Sequence, residues 1–221
     1  MNWIKRWLSH SEETGQRRNW LAFLGGILTS LWAFLMLTIF PLYMGDHYRR
    51  MGEHKFQFFL TASLFCLLPA LVFWLLQAGT DRLRRRRLSK LDLAVLCYLA
   101  AVILSWSFST YKSAGWGGAQ GWYTGLRTQL LLVLAYFMVS RQRFLYKPVL
   151  TGHFIASTLV FLLGILHRFG VDPLGMYEGL DEKYHLEFLS TMGQATWYSS
   201  YVCTVLVLGI AVFYLAKNSR V

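Results

Sequence analysis

One arginine, Arg127, lies near the start of a strongly apolar stretch, where Thr128 and Gln129 follow it. A guanidinium group inside a bilayer is costly unless it reaches the headgroups, pairs with an anion or faces a wet cavity. Its planar fork of N–H donors suits a phosphate or pyrophosphate, so Arg127 is a candidate anion site. Snorkelling to nearby headgroups, with Trp122 and Tyr123 in an aromatic belt, explains the same position equally well.

Two more groups of polar side chains follow later in the chain. His167 and Arg168 end another apolar stretch, where they either contribute to the same anion site or cap a helix C-terminus that favours cations. Asp181 and Glu182 lie near His185 and offer a base for proton transfer, although their spacing fits a solvated helix surface as well. These residues indicate anion binding or acid–base chemistry without fixing a mechanism.

The sequence carries no motif for a bound metal or cofactor. It has no Walker loop and no GxSxG, HExxH or CxxC pattern. The three cysteines each lie within an apolar stretch, and their spacing matches neither a zinc site nor a disulfide framework. We therefore expect no cofactor and no metal, and we assign the cysteines to packing.

The composition is that of a membrane protein. Of 221 residues, 55% are hydrophobic and 15% are charged, whereas a soluble domain carries about a quarter charged residues. The formal net charge is +11, but the basic residues lie in short segments between apolar stretches. This placement indicates contact with anionic membrane lipids, and we expect no nucleic acid partner.

Hydropathy predicts an all-α, polytopic helical membrane bundle of about six transmembrane helices, each near the ~20 residues that cross a bilayer. A basic, amphipathic segment at 1–18 suits the membrane surface, and the transmembrane region covers 19–216, with a tail at 217–221. Pro69 lies in the middle of the second span, where it predicts a kink. The predicted spans are 19–43, 56–78, 91–108, 124–140, 148–167 and 197–215, with outer loops at 44–55, 109–123 and 168–196.

The positive charges predict the orientation of these spans. The N-terminal segment, the 80–90 and 141–147 loops and the tail carry 15 Lys and Arg, against 7 on the opposite side. Because cytoplasmic loops are enriched in Lys and Arg, both termini are predicted to be cytoplasmic. An even number of spans agrees with that placement.

Two segments carry a recognisable pattern of residues. The first reads GWYTGL at 121–126 and leads into an apolar helix that closes in VSR at 139–141. The second reads FLSTMGQ at 188–194 and leads directly into the last span. Over roughly residues 90–215 the chain resembles the first half of the O-antigen ligase and O-antigen polymerase family of bacterial envelope proteins, in which a small-residue, Ser-Thr, Gly-Asn/Gln stretch precedes a membrane span.

The resemblance implies a glycosyltransferase of the bacterial cytoplasmic (inner) membrane. Such an enzyme takes a glycan from an undecaprenyl diphosphate carrier and passes it to an acceptor at the outer face. Arginines would bind the diphosphate, and a base would activate the acceptor hydroxyl. By this resemblance, the candidates for binding the diphosphate or the glycan are Arg127, Arg168, Tyr123 and Gln194.

Members of that family have roughly twice as many spans, so the resemblance also implies that the chain is the N-terminal half of such a protein. A missing C-terminal half or a second subunit is then an expected partner. The main alternative is a non-enzymatic membrane component, either half of a transporter or an assembly subunit. Broken helices and ionisable groups at mid-membrane would favour transport.

Overall fold

A computed structural model describes residues 20–80, 88–142 and 145–218. The predicted amphipathic segment 1–18 and the end of the tail from residue 219 lie outside the described residues. The regular secondary structure of the described part is helical apart from one two-stranded hairpin and an isolated bridge between Asp46 and Arg49. Its helices are α1 (Trp20–Leu42), α2 (51–80), α3 (Lys90–Phe108), α4 (Lys112–Gly117), α5 (Leu126–Arg141), α6 (Tyr146–Arg168) and α7 (Ala195–Asn218), and the hairpin pairs β1 (Phe188–Leu189) with β2 (Gly193–Gln194).

Five of these helices, α1, α2, α3, α6 and α7, are long and apolar enough to cross a membrane. This indicates a multi-pass helical membrane protein. The predicted fourth span corresponds to α5, which has 16 residues. At 1.5 Å per residue such a helix is about 24 Å long and falls short of a hydrocarbon core of ~30 Å. A sixth crossing and the side on which each terminus lies therefore stay predictions.

The chain divides into two compact units. Of the described residues, the first unit contains 20–32, 62–80, 88–119, 123–142 and 145, and the second contains 33–61, 120–122 and 146–218. Helices α1 and α2 each contribute to both units, because the boundaries at 32 and 61 fall within these two helices.

In the first unit, Asp92 joins α3 to α5. Its backbone and side chain form a capping box with Ser89 at the start of α3. The same carboxylate accepts a hydrogen bond of 2.9 Å from the Tyr136 hydroxyl and one of 2.7 Å from the Arg141 guanidinium. Asp92 is 5% exposed, so the capping box, the phenol and the arginine together compensate its burial.

Helices α1 and α2 each contain a π-helical turn two residues before a proline. The turn at Leu35–Ile39 precedes Pro41, and the turn at Ser63–Leu67 precedes Pro69. Proline lacks an N–H and clashes with the carbonyl four residues earlier, and a π-turn relieves that conflict. Pro69, where the sequence predicts a kink, is therefore preceded by a π-turn, and Pro41 is preceded by the same feature; the kink itself stays a prediction.

In the second unit, the π-turn of α1 packs against α6. Leu37, four residues before Pro41, would lose its backbone partner, and the His153 Nδ1 donates to its carbonyl oxygen at 2.9 Å. The helices approach closely at Gly152, where an added Cβ would lie 2.7 Å from the Thr38 Oγ1. His153 is 3% exposed, so this imidazole acts as a buried donor that completes the hydrogen bonding of α1.

Candidate functional site

The segment FLSTMGQ, which carries part of the family resemblance, folds as a tight hairpin in the second unit. Phe188 pairs with Gln194 and Leu189 pairs with Gly193, with a short 3-10 turn at Ser190–Met192 between the strands. Gly193 has a φ of +82°, and a Cβ there would lie 2.8 Å from the Met51 Sδ. Glycine therefore meets two demands at this position, a left-handed backbone and a close approach.

Ser190 is held at this hairpin by three hydrogen bonds. Its N–H donates to the His167 Nδ1 at 3.1 Å, its Oγ donates to the Val160 carbonyl at 2.6 Å, and its own carbonyl accepts from the Tyr48 hydroxyl at 2.9 Å. Ser190 is fully buried and has a φ of +56°, a left-handed conformation that is costly for a residue other than glycine. The surrounding contacts are what hold this backbone in place.

His167 is the centre of this arrangement, and its side chain is 0% exposed. Because a backbone N–H can only donate, the Nδ1 that accepts from Ser190 carries no proton. The proton of the neutral imidazole is then on Nε2, which lies 3.5 Å from the Asp172 Oδ1. The Tyr48 hydroxyl lies 3.3 Å from Nδ1, so the imidazole contacts groups from two loops and the hairpin.

Asp172 and Tyr177 complete the group that we call the His167 cluster, which consists of Tyr48, His167, Asp172, Tyr177 and Ser190. The Tyr177 N–H donates to the Asp172 Oδ2 at 2.8 Å, and the Tyr177 hydroxyl donates to the Phe188 carbonyl at 2.8 Å. The Tyr177 ring lies 4.9 Å from the His167 ring and 4.4 Å from the ring of His185. The loop after α6 is thereby folded back onto the end of its own helix.

The charges of the cluster follow from its burial. Burial raises the pKa of the Asp172 carboxyl, but the N–H groups of Tyr177, Met176 and Leu174 and the neighbouring His167 together hold that pKa below its usual value. Burial, and then the charge of Asp172, raises the pKa of Tyr177. Burial, and then Tyr177, raises the pKa of Tyr48. Near neutral pH the cluster therefore contains one carboxylate and two neutral phenols.

A buried amine lies below the hairpin. Lys55 is 8% exposed, and its Nζ donates to the Phe40 carbonyl at 2.9 Å and to the Pro41 carbonyl at 3.4 Å. The Thr191 Oγ1 donates to the same Pro41 oxygen at 2.7 Å. These carbonyls belong to the last turn of α1, where a cation interacts favourably with the helix dipole. Lys55 and Thr191 therefore act as caps for α1.

Two of the predicted site residues, Tyr123 and Arg127, lie in the first unit. Arg127 is the second residue of α5 and is half-buried. Tyr123 has a φ of +50°, and its carbonyl accepts a hydrogen bond of 2.5 Å from the Thr128 Oγ1. The loop is compact there, because a Cβ at Gly118 would lie 2.5 Å from the Thr124 nitrogen. Arg127 is thus placed at the start of a helix by a tight, glycine-dependent turn.

The other two predicted site residues, Arg168 and Gln194, lie in the second unit and are exposed. Arg168 ends α6 directly after His167, and Gln194 ends the hairpin directly before α7. Within the described part of the chain, neither side chain forms a hydrogen bond or an ion pair. Arg49 is a further exposed cation in the second unit. It lies against the loop after α6, since its Nη2 is 2.7 Å from the position that a Cβ on Gly179 would take.

The acidic stretch of the same loop is more exposed than the His167 cluster. Glu182–Tyr184 form a short 3-10 helix, and Asp181 pairs with Lys183 at 3.1 Å with both side chains largely exposed. The ring of His185, which lies near these carboxylates in the sequence, stacks on the ring of Tyr177. Of the residues described, no group of three His, Cys, Asp or Glu is placed to hold a metal ion.

Sequence reasoning missed most of the His167 cluster. Tyr48 lies 119 residues before His167 in the chain, and Asp172 lies outside the stretch of Asp181, Glu182 and His185 that the sequence singles out. The sequence offers His167 as a helix cap or an anion ligand, and in the structure its side chain is fully buried. The one available signal was the FLSTMGQ pattern itself, whose Ser190 and Thr191 both bind back to the helices.

Comparison of the chain with protein-family models, with curated proteins and with solved structures returns no match.

Proposed function

We propose that the chain is the N-terminal half of an O-antigen ligase-like glycosyltransferase of the bacterial cytoplasmic membrane. In this proposal six spans place both termini in the cytoplasm, and α5 is the fourth span. The intact protein transfers a glycan from an undecaprenyl diphosphate carrier to an acceptor at the outer face. Its partners are membrane lipids, the lipid-linked glycan and a C-terminal half or second subunit.

The observation that carries the proposal is the folded FLSTMGQ segment. Ser190 and Thr191 fix the hairpin against the helices, and Gln194 is left exposed directly before α7. The exposed Arg168 at the end of α6 belongs to the same unit. An exposed amide and an exposed guanidinium group at the ends of two apolar helices suit a ligand with a polar headgroup and a membrane-bound tail.

The residues would divide the chemistry as follows. Displacement of a diphosphate leaving group develops negative charge on phosphate oxygens, and Arg168 of the second unit is the candidate to stabilise that charge. Arg127 of the first unit is a separate candidate for the same role. The acceptor hydroxyl must lose a proton to a base. His167 does not suit that role, since its side chain is fully buried and its Nδ1 already accepts from Ser190. Asp181 and Glu182, which have solvent access, are the candidate bases in this loop.

Glycan transfer in membranes tests the proposal. A labelled undecaprenyl diphosphate oligosaccharide is incubated with vesicles that contain the chain alone, and with vesicles in which a C-terminal half of the family is joined to it. We expect transfer only with the second half present, and we expect Arg127→Ala to abolish it while insertion stays normal. Absence of transfer from both well-inserted proteins would count against the proposal.

A second candidate, half of a transporter, is favoured by polar groups within the spans of the second unit. His153 and Thr38 lie at the π-turn of α1, and the Ser157 Oγ lies 2.8 Å from the Tyr201 hydroxyl. The Thr38 Oγ1 is buried without a hydrogen-bond partner among the described residues. Broken helices and polar groups inside a membrane mark many transport sites.

Flux measurements separate the two candidates. Vesicles that contain the chain alone are loaded with a pH-sensitive dye, and proton entry is followed under a potential. Entry that depends on His153 would favour transport, whereas sealed vesicles together with glycan transfer by the joined protein would favour the glycosyltransferase.

A further inference from the structure

The closed form of the loop at 169–194 requires a bare nitrogen on His167. The Ser190 N–H points at Nδ1 from 3.1 Å, and the Tyr48 hydroxyl lies 3.3 Å from the same atom. Tyr48 is also bound to the Ser190 carbonyl at 2.9 Å. The imidazole is thus an acceptor on the side that faces the hairpin, and the hairpin is held by that acceptor.

Protonation would reverse the role of this nitrogen. A proton on Nδ1 turns an acceptor into a donor that faces the Ser190 N–H, so the hydrogen bond between them is lost. On the other side of the ring, Nε2 lies 3.5 Å from the Asp172 Oδ1, a distance that a full charge on the imidazole would shorten. After protonation, the main partner of His167 is therefore the Asp172 carboxylate, whereas before protonation it is the hairpin.

We propose that His167 is an acid-sensitive latch, which holds the loop at 169–194 closed while its imidazole is neutral and releases the Ser190 hairpin when it is protonated. The latch is a property of the fold in the second unit and does not depend on the reaction proposed above. Because the open form binds a proton that the closed form does not, the closed population falls as the pH falls.

The neighbours of His167 leave it as the titrating member of its cluster. Tyr48 comes from the loop after α1, and Asp172 and Tyr177 come from the loop after α6. The pKa values of both tyrosines are raised and that of Asp172 is lowered, so none of the three changes charge between about pH 8 and about pH 5. Arg168, the next residue on α6, is exposed.

His185 provides a matched control. It stacks on Tyr177 at 4.4 Å, and its Nε2 lies 3.2 Å from the Leu180 carbonyl, within the same loop. Among the described residues it makes no hydrogen bond to the hairpin. A substitution of His185 therefore removes an imidazole from the same loop and leaves the hydrogen bond between Ser190 and His167 in place.

Hydrogen exchange of the full chain in lipid nanodiscs tests the latch. Protection factors for the peptides that cover 186–194, corrected for the intrinsic pH dependence of exchange, are measured between about pH 8 and about pH 5. One proton taken up on opening changes the ratio of open to closed forms by up to about tenfold per pH unit. We expect protection to fall by at least about tenfold over that range, while peptides from the middle of α6 stay protected.

His167→Asn keeps an oxygen near the position of Nδ1 and does not titrate, so its protection should not depend on pH. His185→Asn should keep the dependence of the unaltered protein. Either of two results would overturn the proposal. The first is protection without pH dependence in the unaltered protein, and the second is full pH dependence in His167→Asn. Tyr48→Phe gives a further check, because it should lower protection at every pH and leave the pH response in place.

Discussion

At the scale of single residues, the Tyr48 hydroxyl is the clearest case of one group holding a segment. It donates to the carbonyl of the fully buried Ser190, whose backbone is left-handed. Removing the hydroxyl leaves that carbonyl without this donor, and an unsatisfied buried group costs about 1–3 kcal/mol.

We therefore expect Tyr48→Phe to lower the free energy of unfolding by about 1–2 kcal/mol. Denaturation of the purified protein in mild detergent measures the change. Tyr184→Phe is the control, because Tyr184 lies in the loop at 169–194 that Tyr48 contacts and is 40% exposed. Equal stabilities of the two variants would mean that the Tyr48 hydrogen bond contributes nothing.

Single residues were also where the sequence was least informative. Arg127 stands out as a charge near the start of an apolar stretch, whereas Arg168, Tyr123 and Gln194 are candidates through the family resemblance. Arg127, Arg168 and Gln194 lie at helix or strand ends, Tyr123 lies in the turn before α5, and the roles assigned to all four stay predictions. Tyr48 and Asp172 were missed because the contacts of a buried cluster depend on how distant segments fold together, and no local spacing records that.

At the scale of elements, the π-turn in α1 depends on a proline and on a histidine from another helix. Pro41 has no N–H for the Leu37 carbonyl, and the His153 Nδ1 supplies a donor instead. The two residues should therefore be coupled in their effects on stability.

A double-mutant cycle tests this coupling. We expect His153→Leu to cost about 1–3 kcal/mol, since it leaves a carbonyl without a donor inside the bilayer. In a Pro41→Ala background the backbone can supply that donor, so the same change should cost at least about 0.5 kcal/mol less. Additive effects in unfolding experiments would contradict the explanation of the π-turn.

Elements were predicted better than side-chain contacts. Trp20–Leu42 corresponds closely to the first predicted span at 19–43, because long apolar runs reveal themselves by length and composition. Helix α2 begins at Met51, five residues before the predicted span at 56–78. The early start includes Lys55, a charged residue that sequence patterns assign to a loop and that α1 satisfies with its terminal carbonyls.

At the scale of the whole molecule, the topology depends on α5. Five other helices can cross a membrane, whereas the 16 residues of α5 are short for a full span. With α5 as a span, the crossings number six and both termini lie on the same side of the membrane. Without it, the crossings number five, and everything after residue 141 has the opposite orientation.

Site-directed labelling decides between these topologies. Single cysteines at the exposed positions Gln120 and Lys147 flank α5, and they are placed in a chain whose three native cysteines are replaced. We expect an impermeant maleimide to label Gln120→Cys in intact cells and Lys147→Cys only after the membrane is opened. Labelling of both from the same side would exclude α5 as a span.

The central claim is that Arg168 and Arg127 are each candidates to bind a lipid-linked diphosphate. The measurement is binding of an undecaprenyl diphosphate oligosaccharide to the chain alone in nanodiscs, which requires no second half. We expect saturable binding that Arg168→Ala and Arg127→Ala each weaken by at least about tenfold, the effect of losing about 1.4 kcal/mol. Lys183→Ala, which removes an exposed cation from the same loop, should leave binding unchanged. Binding that all three variants weaken equally, or no binding by the unaltered chain, would contradict the account.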